Sequence, residues 1–502
     1  MTNEVLLPTD QRTARCNSRH RRGRSVLGRQ FLGEHPDDRG TVHAVVGSEA
    51  RSATGDARRA DHGRATLASG GSARGGPLRH RLRPGGVLAS GSATAYAADG
   101  DLGADGKWKV TPASTVPYKT RFIVRRPSAR ARFNGTVVVE WLNVTVVEAS
   151  PDWTYTSRAL IDDGAAWVGV SAQALGVVGG TSAIQTGLTE QQAASGGIRA
   201  GNPERYGSLN HPGDPYAFDI YSQVAAALRS PGDVQVFGES RARKIVATGE
   251  SQSAGFLTTY VNAIQPVAHV FDGFFVHSRG AGAAQPDGTR AVRGSTTAYR
   301  LRPDLEVPVM VFETETDVGP VLRYATARQP DNRRLRVWEV AGTAHADAYL
   351  LGGAGASLCP GSEVNNGPQH YVATAAMAGL LGWVDDGKAP PRASRIRTAG
   401  EDNTTIVRDK HGIALGGIRT PSVDVPVETL SGEAQVQTAP LCVIFGSTTP
   451  FDPATLSSLY PTRDAYHRAF DKALARAIRK GNVRRADRAE YAAEARAVTL
   501  PG

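Results

Sequence analysis

Chemistry concentrates first at one serine. The run Lys244-Ile245-Val246-Ala247-Thr248 reads as a short apolar strand, Gly249-Glu250-Ser251-Gln252-Ser253 as Gly-x-Ser-x-Ser, and residues 253–264 as a helix stopped before Pro266. In such an elbow the serine hydroxyl projects above the sheet. The positions two before and two after it must be small, because strand and helix backbones pass close there. Gly249 and Ser253 meet that need, with Ser in place of the commoner second Gly. The Gln252 N–H, at the helix N-terminus, is placed to hold a developing oxyanion. The plainer reading of Ser251 is a helix N-cap, but the strand–turn–helix context favours a nucleophile. Gly238-Glu239-Ser240-Arg241-Ala242 fits the same pattern yet precedes a strand instead of following one, so Ser240 is read as a turn residue.

A serine nucleophile needs a base and an acid that orients the base, in the chain order Ser, Asp/Glu, His for this type of fold. His345, in Gly342-Thr343-Ala344-His345-Ala346-Asp347, follows the expected strand 335–340 and is the candidate base. His269 and His277 flank an earlier strand, His370 lies on an expected helix and His411 in an expected hairpin, so all four are less well placed. The acid is expected after the strand 307–312, where Glu313-Thr314-Glu315-Thr316-Asp317 offers three carboxylates. Asp317 is preferred because the acid sits on the loop a few residues beyond the strand; Glu313 and Glu315 stay open as alternatives. A second oxyanion N–H is expected after the strand 136–141, from Leu142 or Asn143. No His-Gly-Gly-Gly run is present there.

The elements that position these residues alternate. Strands are expected at 120–125, 136–141, 165–170, 244–248, 273–277, 307–312 and 335–340, and helices at 216–229, 253–264 and 369–383. The strands are short apolar runs without strict alternation, as in strands covered on both faces. Alternation with helices predicts an α/β fold with a doubly wound, mostly parallel sheet. Residues 176–210 and 279–302 read as insertions able to form a lid or pocket wall. Within and after the first of them, Pro203-Glu204-Arg205-Tyr206-Gly207 and Asn210-His211-Pro212-Gly213-Asp214 read as a turn-rich loop. A C-terminal part follows Pro390-Pro391, with a hairpin-like stretch at 405–425 and a helical run at 462–497.

Charge divides the chain unevenly. Residues 1–86 hold 16 Arg, no Lys and 8 acidic residues, so they carry +8 of the total +10 and leave +2 for the remaining 416. With Phe31 as their one aromatic, they read as a disordered Arg-rich segment. Two origins fit: a natural Arg-rich tail, or a misassigned start with a stretch read out of frame. A nucleic-acid partner is not expected, since the basicity belongs to this segment and not to the body. No apolar run is long enough for a membrane-spanning helix. The start Met1-Thr2-Asn3-Glu4 is not that of a signal peptide, which suggests a cytoplasmic setting. Cys16, Cys359 and Cys442 lack zinc-site spacing; Cys359 and Cys442 are able to pair, but free thiols are the default in that setting. Neither a metal nor a nucleotide cofactor is expected.

Several of these pieces together resemble the large bacterial alpha/beta hydrolase domain-containing proteins. They are Gly91-Ser92-Ala93-Thr94-Ala95-Tyr96, Val138-Val139-Glu140-Trp141-Leu142-Asn143-Val144-Thr145, the segment from Asn202 to Asp214, the Ser251 elbow, Glu313 to Val318, Gly342 to Asp347, and Asn365-Asn366-Gly367-Pro368-Gln369-His370. The resemblance spans roughly residues 88–500. It implies an alpha/beta-hydrolase fold over 87–502, with a catalytic core at about 120–390 and an extension at 391–502, and Ser251, Asp317 and His345 as a triad. The expected activity is hydrolysis of a small-molecule carboxylic ester through an acyl-enzyme; the alternative is a non-catalytic binding protein of the same fold. Natural substrate and oligomeric state are not specified.

Overall fold

The computed structural model describes residues 41–45, 66–68 and 82–500, apart from 147, 181–195, 231–235, 238–239, 292–293, 353 and 436–440. Ten strands form one sheet: β1 (Thr41–Val45), β2 (Thr66–Ala68), β3 (Leu82–Ala98), β4 (Val110–Pro127), β5 (Thr136–Trp141), β6 (Ala166–Val170), β7 (Lys244–Glu250), β8 (Gly273–His277), β9 (Val309–Thr314) and β10 (Leu335–Val340). Their order is β10-β9-β8-β7-β5-β6-β4-β3-β1-β2. From β6 to β10 every neighbouring pair is parallel, whereas β4 pairs antiparallel with both β6 and β3. This is the alpha/beta-hydrolase fold.

The parallel strands are buried on both faces, and their pleat splits them between two apolar layers. Val137, Val139 and Trp141 of β5, with Ile245 and Ala247 of β7, pack into one core together with Phe218 and Tyr221 of helix α2 (Ala217–Arg229) and Phe256 of α3 (Gln252–Thr259). Val138 and Val246 face the opposite core, made with Tyr155 and Leu160 of α1 (Pro151–Asp163) and Met377 and Leu380 of α4 (Gln369–Asp386). Here a continuous apolar run means two covered faces.

The long antiparallel pair β3–β4 was not legible in full. Leu82–Ala98 is rich in Gly, Ser and Ala, and acquires extended structure by pairing along β4 from Leu82↔Pro127 to Ala98↔Val110. Within residues 1–86, Thr41–Val45 pairs in parallel with β3, Thr66–Ala68 pairs with Thr41–Val45, and β3 starts at Leu82. Most of that segment lies outside the described residues.

The C-terminal part contributes a two-stranded pair, Glu428–Ser431 with Ser447–Pro450, and two helices, α5 (Arg463–Arg479) and α6 (Arg488–Ala497), where the sequence suggested one run. The cysteine expectation is corrected. Cys359 and Cys442 form a disulfide with Cα atoms 5.4 Å apart across 83 residues, so the free thiols tied to a cytoplasmic setting are not what is found. The pairing was not decidable from spacing, because it depends on the C-terminal part folding back over the loops after β10. Among the described residues no helix is long and apolar enough to cross a membrane, and no His/Cys/Asp/Glu group could hold a metal ion.

Candidate active site

Ser251 follows β7 directly and immediately precedes α3, in a backbone conformation (φ 60°, ψ −118°) that side-chain-bearing residues rarely adopt. The strain is held by close packing and by the Ser251 N–H donating to His277 O at 2.9 Å. A Cβ on Gly249 would meet the Ser253 Cβ at 3.0 Å and the Leu257 Cδ1 at 3.2 Å, which is the physical reason both positions are small. The hydroxyl is half-exposed, above the carboxyl ends of the parallel strands, where ligands bind in such sheets.

Three sequence-predicted residues meet there. Ser251 Oγ lies 2.7 Å from His345 Nε2, and His345 Nδ1 lies 2.6 Å from Asp317 Oδ1. Asp317 is fully buried, and its other oxygen accepts the Thr314 N–H at 2.6 Å and the Thr314 hydroxyl at 2.7 Å. With Oδ2 so committed, Oδ1 is left to take the Nδ1–H, which leaves Nε2 with its lone pair toward the serine. The imidazole arrives through Gly342, at φ +71°, where a Cβ would lie 2.7 Å from Val423 Cγ2. The His345 N–H donates to Thr316 Oγ1 at 3.3 Å, and that hydroxyl donates to Gly432 O at 2.6 Å.

The other two acids point elsewhere. Glu315 turns toward the C-terminal part: Oε1 pairs with Arg408 at 2.7 Å and accepts Gly432 N–H at 3.0 Å, while Oε2 accepts Gly342 N–H at 2.9 Å. Glu313 is buried within β9, and burial pushes its carboxyl well above the usual range, with Arg279 pulling the other way.

The oxyanion expectation is only half met in geometry. Gln252 is the first residue of its helix, so its N–H has no intrahelical acceptor. Leu142 and Asn143, however, spend their N–H groups on Val170 O (3.2 Å) and Ala149 O (2.9 Å). The first bond continues the pairing of β5 with β6 and the second closes the loop between β5 and α1, and counting positions from the strand end could not reveal them. The next residue, Val144, donates its N–H to Gln252 Oε1 at 3.3 Å. A chain of side chains fixes that amide. Asp214 accepts from Gln173 Nε2 (3.0 Å), Gln173 Oε1 accepts from Gln252 Nε2 (2.6 Å) and Trp141 Nε1 (3.0 Å), so Gln252 must present its oxygen to Val144. The Asn210–Asp214 motif thus reaches the site through Gln173.

Sequence reasoning missed Glu250. Its Oε1 lies 3.3 Å from His345 Nε2 and its Oε2 accepts the Asn143 amide at 2.9 Å. Burial pushes the Glu250 carboxyl up to about 7 from its ordinary 4.5, against the opposing pull of His345 and His277. The signal was present as a carboxylate beside the elbow serine, but nothing in the spacing said which way it turns.

Fold and site together define the class: an alpha/beta-hydrolase sheet with a serine, an imidazole and a carboxylate in hydrogen-bonded series above its strand ends. The chain belongs to the alpha/beta hydrolase domain family, whose sequence profile matches residues 87–493. Comparison with curated proteins finds no match. Solved structures similar to parts of the chain include an esterase from the fungus Rhizomucor miehei (11% identity, 59% of this chain and 85% of that one, TM-score 0.30). They also include a putative dienelactone hydrolase from Klebsiella pneumoniae (13% identity, 59% and 98%, TM-score 0.27). A third is an α/β serine hydrolase without lid from Xanthomonas campestris (12% identity, 49% and 83%, TM-score 0.26).

Proposed function

We propose that this protein is a serine hydrolase that cleaves a carboxylic ester through an acyl-enzyme. The observation that carries this reading is the unbroken series Ser251 Oγ–His345 Nε2 at 2.7 Å and His345 Nδ1–Asp317 Oδ1 at 2.6 Å. His345 takes the Ser251 proton as Oγ attacks the ester carbonyl, and the tetrahedral oxyanion is held by the Gln252 and Val144 N–H groups after the substrate displaces Gln252 Oε1. The imidazolium, stabilised by Asp317, returns the proton to the departing alkoxide. Water then adds to the acyl carbon by the same route, giving the free acid and Ser251.

A fluorophosphonate probe tests this. It should label Ser251 and no other serine, and a p-nitrophenyl ester should be hydrolysed by the same preparation. Equal labelling of Ser251→Ala refutes the assignment, and labelling without any acyl turnover favours a binding protein of this fold.

A further inference from the structure

An apolar cluster that the proposed chemistry does not use is built on the loops that follow the carboxyl ends of β5, β9 and β10. It joins one residue from each loop that serves the site: Val146 after β5, Val321 four residues past Asp317, and Ala346 next to His345. The rest of the cluster comes from Leu351, Cys359 and Val364, beyond β10, and from residues 441–445 of the C-terminal part, including Ile444 and Phe445. This segment is stitched to the site at three points. Ile444 O accepts the Ala346 N–H at 3.1 Å, Phe445 O accepts the Asn365 N–H at 3.0 Å, and Cys442 is covalently joined to Cys359. Val146, Val321 and Val443 remain half-buried, so the cluster keeps an open apolar surface.

Ester bonds are small, and the groups either side of the carbonyl decide which ester binds. The loops after β5, β9 and β10 that carry Val144, Asp317 and His345 also carry Val146, Val321 and Ala346 of the cluster, so an ester held at Ser251 has this apolar surface on the loops that surround it. Burial of an apolar substituent against it is favourable in proportion to the area covered.

We propose that residues 441–445, held by the Cys359–Cys442 disulfide, form the apolar wall of the substrate site, and that the ester hydrolysed carries an apolar chain of several carbons. The proposal rests on the esterase reading and names its substrate class.

Two ester series test it: p-nitrophenyl esters from acetate to octanoate, and alkyl acetates from methyl to hexyl. In the native protein kcat/KM rises at least tenfold with chain length in one series, which also tells whether the acyl or the alcohol side meets the wall. In the double variant Cys359→Ser/Cys442→Ser that rise falls below threefold, mainly through a higher KM for the long esters. Val443→Ser, which keeps the disulfide, reduces the rise by several-fold and covers the case in which the double variant does not fold. No gain with length in either series, or a gain unchanged in the variants that fold, overturns the proposal. Loss of fluorophosphonate labelling at Ser251 in the native protein would instead strike the esterase reading.

Discussion

Among the described residues, two His–Asp pairs have nearly equal geometry. His345 Nδ1 and Asp317 Oδ1 are 2.6 Å apart; His277 Nδ1 and Asp152 Oδ1 are 2.7 Å apart. The difference is what the second ring nitrogen meets. In His345 it faces the half-exposed Ser251 hydroxyl. In His277, fully buried at the end of β8, it faces the Gln369 amide nitrogen at 3.2 Å. Asp152 also accepts from Thr248 Oγ1 at 2.6 Å, so the second pair is a tie between α1, β7, β8 and α4. A His–Asp pair is therefore not a catalytic unit by itself; access and a nucleophile make it one.

The sharpest way to break this contrast is to remove the carboxylate from each pair in turn. Asp317→Asn should lower kcat on a p-nitrophenyl ester by roughly 10⁴-fold while the protein stays folded, because the histidine then favours the wrong tautomer. Asp152→Asn should change kcat by less than about tenfold and lower the unfolding temperature instead. Similar kcat losses in the two variants would show that both pairs serve the reaction.

A second contrast lies within one loop. Glu315→Ala leaves the Gly342 and Gly432 N–H groups unpaired and takes the nearer of two carboxylates from Arg408, which retains Glu433 at 3.0 Å. Stability should fall by about 3 kcal/mol, with kcat per folded molecule reduced far less than in Asp317→Asn. Denaturant unfolding beside active-site titration separates these effects; a catalytic loss matching that of Asp317→Asn would move the orienting role to Glu315.

The smallest expected effect is in pH dependence. Burial raises Glu250 to about 7 from an ordinary 4.5. The folded state therefore keeps a proton that the unfolded chain has already lost. The contribution to stability is fully present below about 4.5 and is lost as pH rises through 7. Asp347, also raised to about 7 by burial, acts in the same direction. Glu250→Gln should flatten the loss of stability between pH 5 and 8 by on the order of 1–2 kcal/mol. An unchanged slope would mean that Glu250 stays ionised in the fold.

The sequence alone determined what local sterics dictate. Strand, Gly-x-Ser-x-Ser and helix lie within about twenty residues. The small residues flanking Ser251 follow from backbones passing within one side chain of each other, and the apolar runs of β5, β7 and β8 follow from burial on two faces. Tertiary structure decided whatever depends on partners distant in the chain. Asp317 and not Glu315 reaches His345 because Gly432 and Arg408, from the C-terminal part, hold the Glu315 carboxylate. Val144 and not Asn143 is left to face the elbow because Ala149 takes the Asn143 N–H. Glu250 meets His345 across 95 residues of chain, and Cys359 meets Cys442 across 83. No spacing rule encodes these contacts, since each is set by where folding places a side chain and by which hydrogen-bonding groups are already spent.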